Sequence, residues 1–203
     1  MNKLSFGMGA FLTLYLFGNV YYFTKISNRN EEAIEQINAY VGETTTMSVI
    51  EEIKTERYVE YDVPTGDTSF KSYMDYKAIT NTDSRQYKLQ KYAETDEQGL
   101  RVYNGYYMIA VGSYYADNIG DLIRVTLDNG ESFEAIVGDF KADRHTDSLH
   151  QYHPMEDNKK NVVEFIVETN KLSAMTRKMG DISYVNNKLK GNVAKIERIY
   201  KYE

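Results

Sequence analysis

Short apolar runs recur through the second half of the chain, and turn residues separate them. The runs are LRVYNGYYMIAVG at 100–112, LIRVTL at 122–127, SFEAIVGD at 132–139, NVVEFIVE at 161–168 and NVAKIERIYKY at 192–202. Runs of this length that are rich in Val, Ile and Tyr are typical of strands. Asp128-Asn129-Gly130 lies between two of the runs and predicts a hairpin turn. We therefore predict a mainly β domain, a compact barrel or sandwich rather than a βαβ sheet.

The remaining local patterns predict one small helix and an earlier strand region. A helix is predicted from Lys171 to Lys178, because Gly180 supplies a C-terminal stop. Residues 44–61 accumulate β-branched and aromatic side chains, and Pro64-Thr65-Gly66-Asp67 predicts a turn after them. Residues 70–78 alternate apolar and polar positions, which favours a strand and leaves a helix open as the alternative.

The segment Leu4–Phe23 contains no charged residue and is bracketed by Lys3 and Lys25. Twenty residues at the rise of an α-helix span about 30 Å, the thickness of a bilayer core. A cleavable signal peptide would need small residues before its cleavage site, and Gly18-Asn19-Val20-Tyr21-Tyr22 fits that pattern poorly. The sequence therefore predicts an uncleaved membrane anchor over residues 1–25, with a cleaved signal and a buried helix as the alternatives. We expect the short N-terminus inside and the long C-terminal part outside, because long domains cross largely regardless of charge.

These patterns divide the chain into three parts. The anchor at 1–25 precedes a stalk helix and linker strand at 26–67, and a β domain covers 68–203. The stalk helix is predicted at 28–42, where Ile34, Ile37 and Val41 recur at helical spacing, although this could equally be a first helix of the domain.

Composition excludes several classes of function. The chain has no Cys, so it can form no disulfide, no Cys-ligated zinc site and no thiol nucleophile. Its formal net charge is -6 and it has no cluster of basic residues, which argues against nucleic-acid binding. The 19 Tyr are consistent with sugar recognition, because aromatic faces stack on sugar rings. No motif for an organic cofactor is found.

The stretch from about Phe70 to Tyr184 resembles a family of Gram-positive bacterial and phage proteins. The resemblance is carried by FKSYMDYKAIT, YYMIAVGSYYADNIGDLIRVTLDNG, EAIVGDFKADRHTD, NVVEFIV and MGDISY. The domain of that family is similar to the double-psi β-barrel of the three-aspartate domains and of the membrane-bound lytic transglycosylase A type. The resemblance implies a six-stranded barrel whose groove binds peptidoglycan or another wall glycan.

The resemblance also implies catalytic residues. A general-acid aspartate at the end of a strand would be Asp139, and a second carboxylate on a later strand would be Glu164. The third family aspartate falls near Val111-Gly112-Ser113, where no acid is present. A lytic transglycosylase needs one carboxyl, which protonates the glycosidic oxygen and then acts as a base, whereas a hydrolase normally uses two. The alternative for Asp139 is a turn cap that accepts backbone hydrogen bonds.

Two further groups of residues are candidates for substrate contact. The loop at 143–157 holds all three His of the chain, His145, His150 and His153, with Asp143 and Asp147. The spacing H-x4-H-x2-H matches no strong zinc pattern, so we expect no bound metal and interpret the loop as a lid over substrate or a plain solvated loop. Tyr114 and Tyr115 follow the predicted strand at 100–112 and are candidates to line a glycan subsite, with packing in the barrel as the alternative.

The sequence therefore predicts a membrane-anchored cell-envelope protein that acts on or binds peptidoglycan, with Asp139 as general acid/base. The alternative is a non-catalytic module on the same domain that holds a wall glycan or another protein. A phage virion or lysis-associated component is the third hypothesis.

Overall fold

The computed structural model describes residues 56–201. The predicted membrane anchor at 4–23 and stalk helix at 28–42 lie outside these residues. Within 56–201, no helix is both long enough and apolar enough to cross a bilayer. Residues 58–199 belong to one compact unit, and Glu56, Arg57, Tyr200 and Lys201 belong to a second.

Eleven short strands and two α-helices make up the described residues. The strands are β1 Glu56–Tyr61, β2 Ser72–Asp75, β3 Glu94–Thr95, β4 Arg101–Tyr103, β5 Tyr106–Val111, β6 Leu122–Leu127, β7 Ser132–Phe140, β8 His153–Pro154, β9 Lys160–Asn161, β10 Glu164–Val167 and β11 Val193–Lys201. The helices are α1 Arg85–Lys91 and α2 Ala174–Met179, and several single 3-10 turns join the elements.

Nine of the strands form one mixed sheet. Its hydrogen-bonded order is β1-β11-β6-β7-β5-β10-β2, with β4 on β5 and β3 on β4, while β8 and β9 pair separately. β5 runs parallel to β7 and β2 runs parallel to β10, whereas β6 and β7 form an antiparallel hairpin. The prediction of a mainly β domain is confirmed, and so is the hairpin whose turn contains Asp128-Asn129-Gly130. The run at 100–112 is not one strand, because Asn104 and Gly105, both with positive φ, divide it into the β4–β5 hairpin.

The sequence predicts only one of the two helices, α2. α2 begins after Ser173, whose side chain accepts a hydrogen bond from the Thr176 N–H, and ends at Gly180 in the left-handed conformation. The predicted helix at 171–178 is thus confirmed, with its start shifted because Thr169–Lys171 forms a 3-10 turn. α1 was not predicted, since its sequence RQYKLQK lacks an apolar stripe, yet Ser84 caps it in the same way as Ser173 caps α2.

One side of the sheet, here called the first face, carries the larger core. It is built from alternate residues of the central strands, including Ile109, Val111, Val137, Phe165 and Val167. The Phe165 ring packs at 5.4 Å from Phe133 and 5.9 Å from Tyr107, measured between ring centroids. Alternation in a strand sends every second residue to the same side, so the apolar repeats of the sequence account for this face.

The opposite side, here called the second face, carries a smaller cluster. Met108, Ile136 and Ile166 are buried there, and Tyr87 and Leu89 of α1 pack against them. Arg101 Nη2 holds the C-terminal end of α1 by donating to the Gln90 and Ala93 carbonyl oxygens at 2.6 and 2.7 Å. α1 therefore covers part of the second face.

Candidate functional site

Four strands contribute to one row of residues on the second face. Register aligns Ser72 of β2 with Glu164 of β10, Glu164 with Ala110 of β5, and Ala110 with Asp139 of β7. Residues directly opposite each other on paired strands share a face of the sheet. The row therefore brings both predicted catalytic carboxylates, Asp139 and Glu164, to the same face. They lie on either side of Ala110, about 10 Å apart at Cα, which is two strand spacings.

A β-bulge puts Asp139 in this row. The pairing of β5 with β7 shifts register between Ile109 and Ala110, so that Gly138 is the extra residue of β7. Strict alternation from Val137, which lies in the first-face core, would have sent Asp139 toward that core instead. A bulge of this kind redirects the side chains that follow it, and bulges are frequent beside active sites. Beyond it, Phe140 packs on the first-face core and Lys141 returns to the second face.

Asp139 is half-buried and accepts two hydrogen bonds on the same oxygen. Its Oδ1 accepts from the Phe140 N–H at 2.9 Å and from Gln86 Nε2 of α1 at 3.4 Å. The first contact is to the next residue of β7, whereas an Asp that caps a turn accepts from the N–H two residues on. Among the described residues, no hydrogen bond to Oδ2 is seen. That oxygen is the one a ligand would contact.

Glu164 faces a buried lysine. Lys141 Nζ lies 3.8 Å from Glu164 Oε2, and the exposed fraction of the Lys141 side chain is 5%. Burial lowers the pKa of Lys141 to about 8, and the negative charge of Glu164 opposes that shift. The Asn161 carboxamide completes the group. In the amide orientation that gives both its oxygen and its nitrogen a hydrogen-bond partner, Oδ1 accepts from Lys141 Nζ at 3.3 Å and from Ser72 Oγ at 2.6 Å. We call Asp139, Lys141, Asn161, Glu164 and Ser72 the polar edge.

The predicted lid loop packs beside the strand that separates the two carboxylates. A Cβ added to Gly112 would lie 1.8 Å from the His150 carbonyl oxygen, so the loop passes directly over the end of β5. Asp143 accepts from Ser113 Oγ at 2.9 Å and lies 3.8 Å from His150 Nδ1. Asp147 Oδ1 accepts from the Gln151 and Tyr152 N–H groups, which is an internal loop contact.

The three His do not converge. His153 Nδ1 is 2.7 Å from the His145 carbonyl oxygen, and the two rings meet edge to face at 6.4 Å. His150 Nδ1 instead contacts Thr146 Oγ1 at 3.0 Å. In the part of the chain from 56 to 201, no group of three or more His, Asp or Glu residues is arranged to hold a metal ion.

The two candidate Tyr residues occupy different environments. Tyr115 is fully buried in the first-face core, where its ring meets Tyr114 and Tyr61 edge to face. Burial raises the pKa of Tyr115, and its hydroxyl has no hydrogen-bond partner among the described residues. Tyr114 is only half-buried. Of the two, Tyr114 alone offers a ring to a ligand, since a contact with Tyr115 would require the core to open.

Sequence reasoning missed three members of the polar edge, namely Lys141, Asn161 and Ser72. Lys141 was hidden because an isolated lysine after a strand is usually solvated, and here it is buried. Ser72 reaches the site through the parallel pairing of β2 with β10, which joins distant segments, and Asn161 lies on β9 shortly before β10. An available signal was the alternation Asp139-Phe140-Lys141, which puts two charged residues on one side of a strand end.

Comparisons with known proteins add no relative. No protein-family model, no curated protein sequence and no solved structure matches this chain. The case for function therefore rests on the polar edge.

Proposed function

We propose that the domain binds a wall glycan at the polar edge and that Asp139 is its general acid/base, in the manner of a lytic transglycosylase. The observation that carries the proposal is the row Ser72, Glu164, Ala110, Asp139, which puts two carboxylates on one face with a small residue between them. A separation of about 10 Å at Cα is wide enough for a sugar unit to lie between the two side chains.

The two carboxylates have different roles in this proposal. Glu164 Oε2 lies 3.8 Å from Lys141 Nζ, so in this proposal Glu164 orients that amine and supports the site, and it does not protonate the glycosidic oxygen. Asp139 has one oxygen engaged by Phe140 and Gln86 and the other free of hydrogen bonds within residues 56–201. Asp139 is therefore the better candidate to donate a proton to the glycosidic oxygen and then to accept one from the sugar's own hydroxyl.

The proposal includes a double-psi barrel and attachment to the cell envelope. Two parallel strand pairs, β2–β10 and β5–β7, in the mixed nine-stranded sheet support the barrel topology. The Thr68 N–H donates to Asn192 Oδ1 at 2.9 Å, which joins the segment before β2 to the segment before β11. Residues 4–23 would anchor the chain to the membrane, with the domain outside the cell. A phage origin is compatible with the same domain.

A non-catalytic binding module is the second candidate. The specific observation that favours it is that Asp139 Oδ1 accepts from both the Phe140 N–H and Gln86 Nε2, because a carboxylate that joins β7 to α1 needs no catalytic role. The polar edge would then supply donors and acceptors for sugar hydroxyl or acetamido groups without cleaving any bond.

One substitution separates the two candidates. The full chain, purified in detergent, is incubated with purified peptidoglycan, and soluble muropeptides and sedimented protein are measured. If the domain is an enzyme, Asp139→Asn abolishes release while the protein still sediments with the wall, because an amide cannot donate the required proton. Glu131→Gln, an exposed carboxylate at the opposite end of β7, is the matched control and should behave as wild type.

The outcomes are distinct. A wild-type protein that sediments with the wall but releases no sugar leaves the binding module. A wild-type protein that neither releases sugar nor sediments overturns both candidates.

A further inference from the structure

Lys141, Asn161 and Glu164 form a trio with chemistry of its own, in which Lys141 and Asn161 are buried and Glu164 is half-buried. The whole-residue exposure is 8% for Lys141 and 4% for Asn161, and both lie inside the polar edge. Lys141 Nζ is 3.3 Å from Asn161 Oδ1, so the carboxamide carbon Cγ is one bond beyond the contact atom. Glu164 Oε2 is 3.8 Å from the same Nζ. A buried amine, a buried carboxamide and a half-buried acid are thus gathered in one place.

We propose that Lys141 and Asn161 become joined by an intramolecular isopeptide bond, with Glu164 as the proton carrier. The uncharged Nζ of Lys141 attacks Cγ of Asn161, and a new N–C bond forms. Glu164 takes a proton from the attacking nitrogen and delivers one to Nδ2, the Cγ–Nδ2 bond breaks, and ammonia leaves. The product is a secondary amide. No atom changes oxidation state, so the step needs no oxidant and no cofactor.

The surroundings favour each part of this step. Burial lowers the pKa of Lys141 to about 8, so that roughly a tenth of the amine is uncharged at pH 7. A desolvated lysine of this kind is an activated nucleophile. The Asn161 carboxamide is held from two sides, because Nδ2 donates to the Val163 carbonyl oxygen at 2.8 Å and Oδ1 accepts from Ser72 Oγ. Holding reactants near contact distance replaces an encounter between free molecules with a step inside one molecule.

Lys71 shows that burial alone does not create such a site. It is also fully buried, and burial likewise lowers its pKa to about 8. Its Nζ, however, donates to two backbone carbonyl oxygens, Ser69 at 3.0 Å and Gly191 at 2.8 Å. A backbone peptide carbonyl carries no amino group that could leave as ammonia. Lys71 therefore serves as the matched control.

The bond would have a structural consequence that fits a chain without Cys. It would connect the residue after β7 to β9 and so close the loop at 142–160, which contains all three His. A covalent closure of this length restricts the unfolded chain in the same way as a disulfide does. The inference is independent of glycan binding, because the bond would form in the absence of any ligand.

Mass spectrometry of the full chain tests the inference. We expect the intact mass of the wild type to be lower than its sequence mass by one molecule of ammonia. Proteolysis should then yield one branched peptide that joins Lys141 to Asn161, with no tryptic cleavage after Lys141. Lys141→Met and Asn161→Ala should each show the full sequence mass, and Glu164→Gln should form the bond more slowly. Lys71→Met should retain the mass deficit.

A full-mass wild type overturns the inference, and because it is measured on the unmodified chain it does not depend on whether any variant folds. A deficit that maps to a cyclised Asn at Asn104-Gly105 or Asn129-Gly130 also overturns it, since deamidation intermediates at such pairs lose ammonia without a branch. The branched peptide is the result that supports it, whatever the glycan assays show.

Discussion

The two faces of the sheet bury different chemistry. The first face is filled by aliphatic side chains and rings, with Phe165 in contact with two other aromatic residues. The second face buries a smaller apolar cluster under α1 and then continues into the polar edge, where Lys141 and Asn161 are buried as well. The first face therefore stabilises the fold, and the second carries the candidate site at the place where its apolar cover ends.

The largest expected effect tests this division directly. Phe165→Ala should lower the free energy of unfolding by about 4 kcal/mol, because a fully buried aromatic side chain is replaced by a cavity between Tyr107 and Phe133. Met74→Ala, at a half-buried position of the second face, should cost about 1 kcal/mol. Urea unfolding of both variants measures the difference. Equal losses would show that the two faces contribute alike.

Substitution of two glycines should give the next largest loss of stability. Gly112→Ala should cost about 3 kcal/mol, because its Cβ would lie 1.8 Å from a backbone oxygen of the loop, which must move. Gly138→Ala should cost about 1 kcal/mol, because the two contacts of its Cβ below 3 Å are with the flexible ends of the Ile166 and Met108 side chains. Thermal unfolding ranks the two. If Gly138→Ala lowers the stability more than Gly112→Ala does, the bulge is more rigid than the loop contact.

The buried lysines predict a pH dependence. A folded pKa near 8 for Lys71 lies below the ordinary value of 10.5, so the unfolded state binds more protons between these values. Stability should therefore rise with pH above 8 and fall as pH drops through 8, by about 1.5 kcal/mol between pH 8 and 9.5 for one lysine. Urea unfolding across this range measures the rise.

Lysine variants show which lysine causes the rise in stability between pH 8 and 9.5. Lys71→Met should abolish it if Lys141 is acylated and no longer titrates. A rise that survives Lys71→Met and disappears only when Lys141 is also replaced would show a free amine at Lys141, contrary to the isopeptide inference.

The two faces differ in how much of their structure the sequence predicts. The first face follows from alternation in YYMIAV, LIRVTL and EFIV, and the β6–β7 hairpin follows from its Asn129-Gly130 turn, because these signals are local. The second face depends on pairings between distant segments, such as Glu164 with Ser72, and on the bulge at Gly138 that breaks the alternation before Asp139. Local sequence patterns reveal neither the long-range pairings nor the bulge. Asp139 and Glu164 were singled out by resemblance, and Lys141 could be recognised only once its burial was known.

The smallest expected effect concerns Tyr115, whose buried hydroxyl has no hydrogen-bond partner within the described residues. Tyr115→Phe removes a desolvated polar group without changing the shape of the core. We expect the free energy of unfolding to rise by about 0.5 kcal/mol or to stay unchanged. Tyr114→Phe, at the half-buried neighbour, is the control for loss of a hydroxyl near solvent. Sedimentation with wall material should be the same for Tyr115→Phe as for wild type, because that ring belongs to the first face. Loss of sedimentation in Tyr115→Phe would place a ligand contact inside the core and would remove the division between a stabilising face and a binding face.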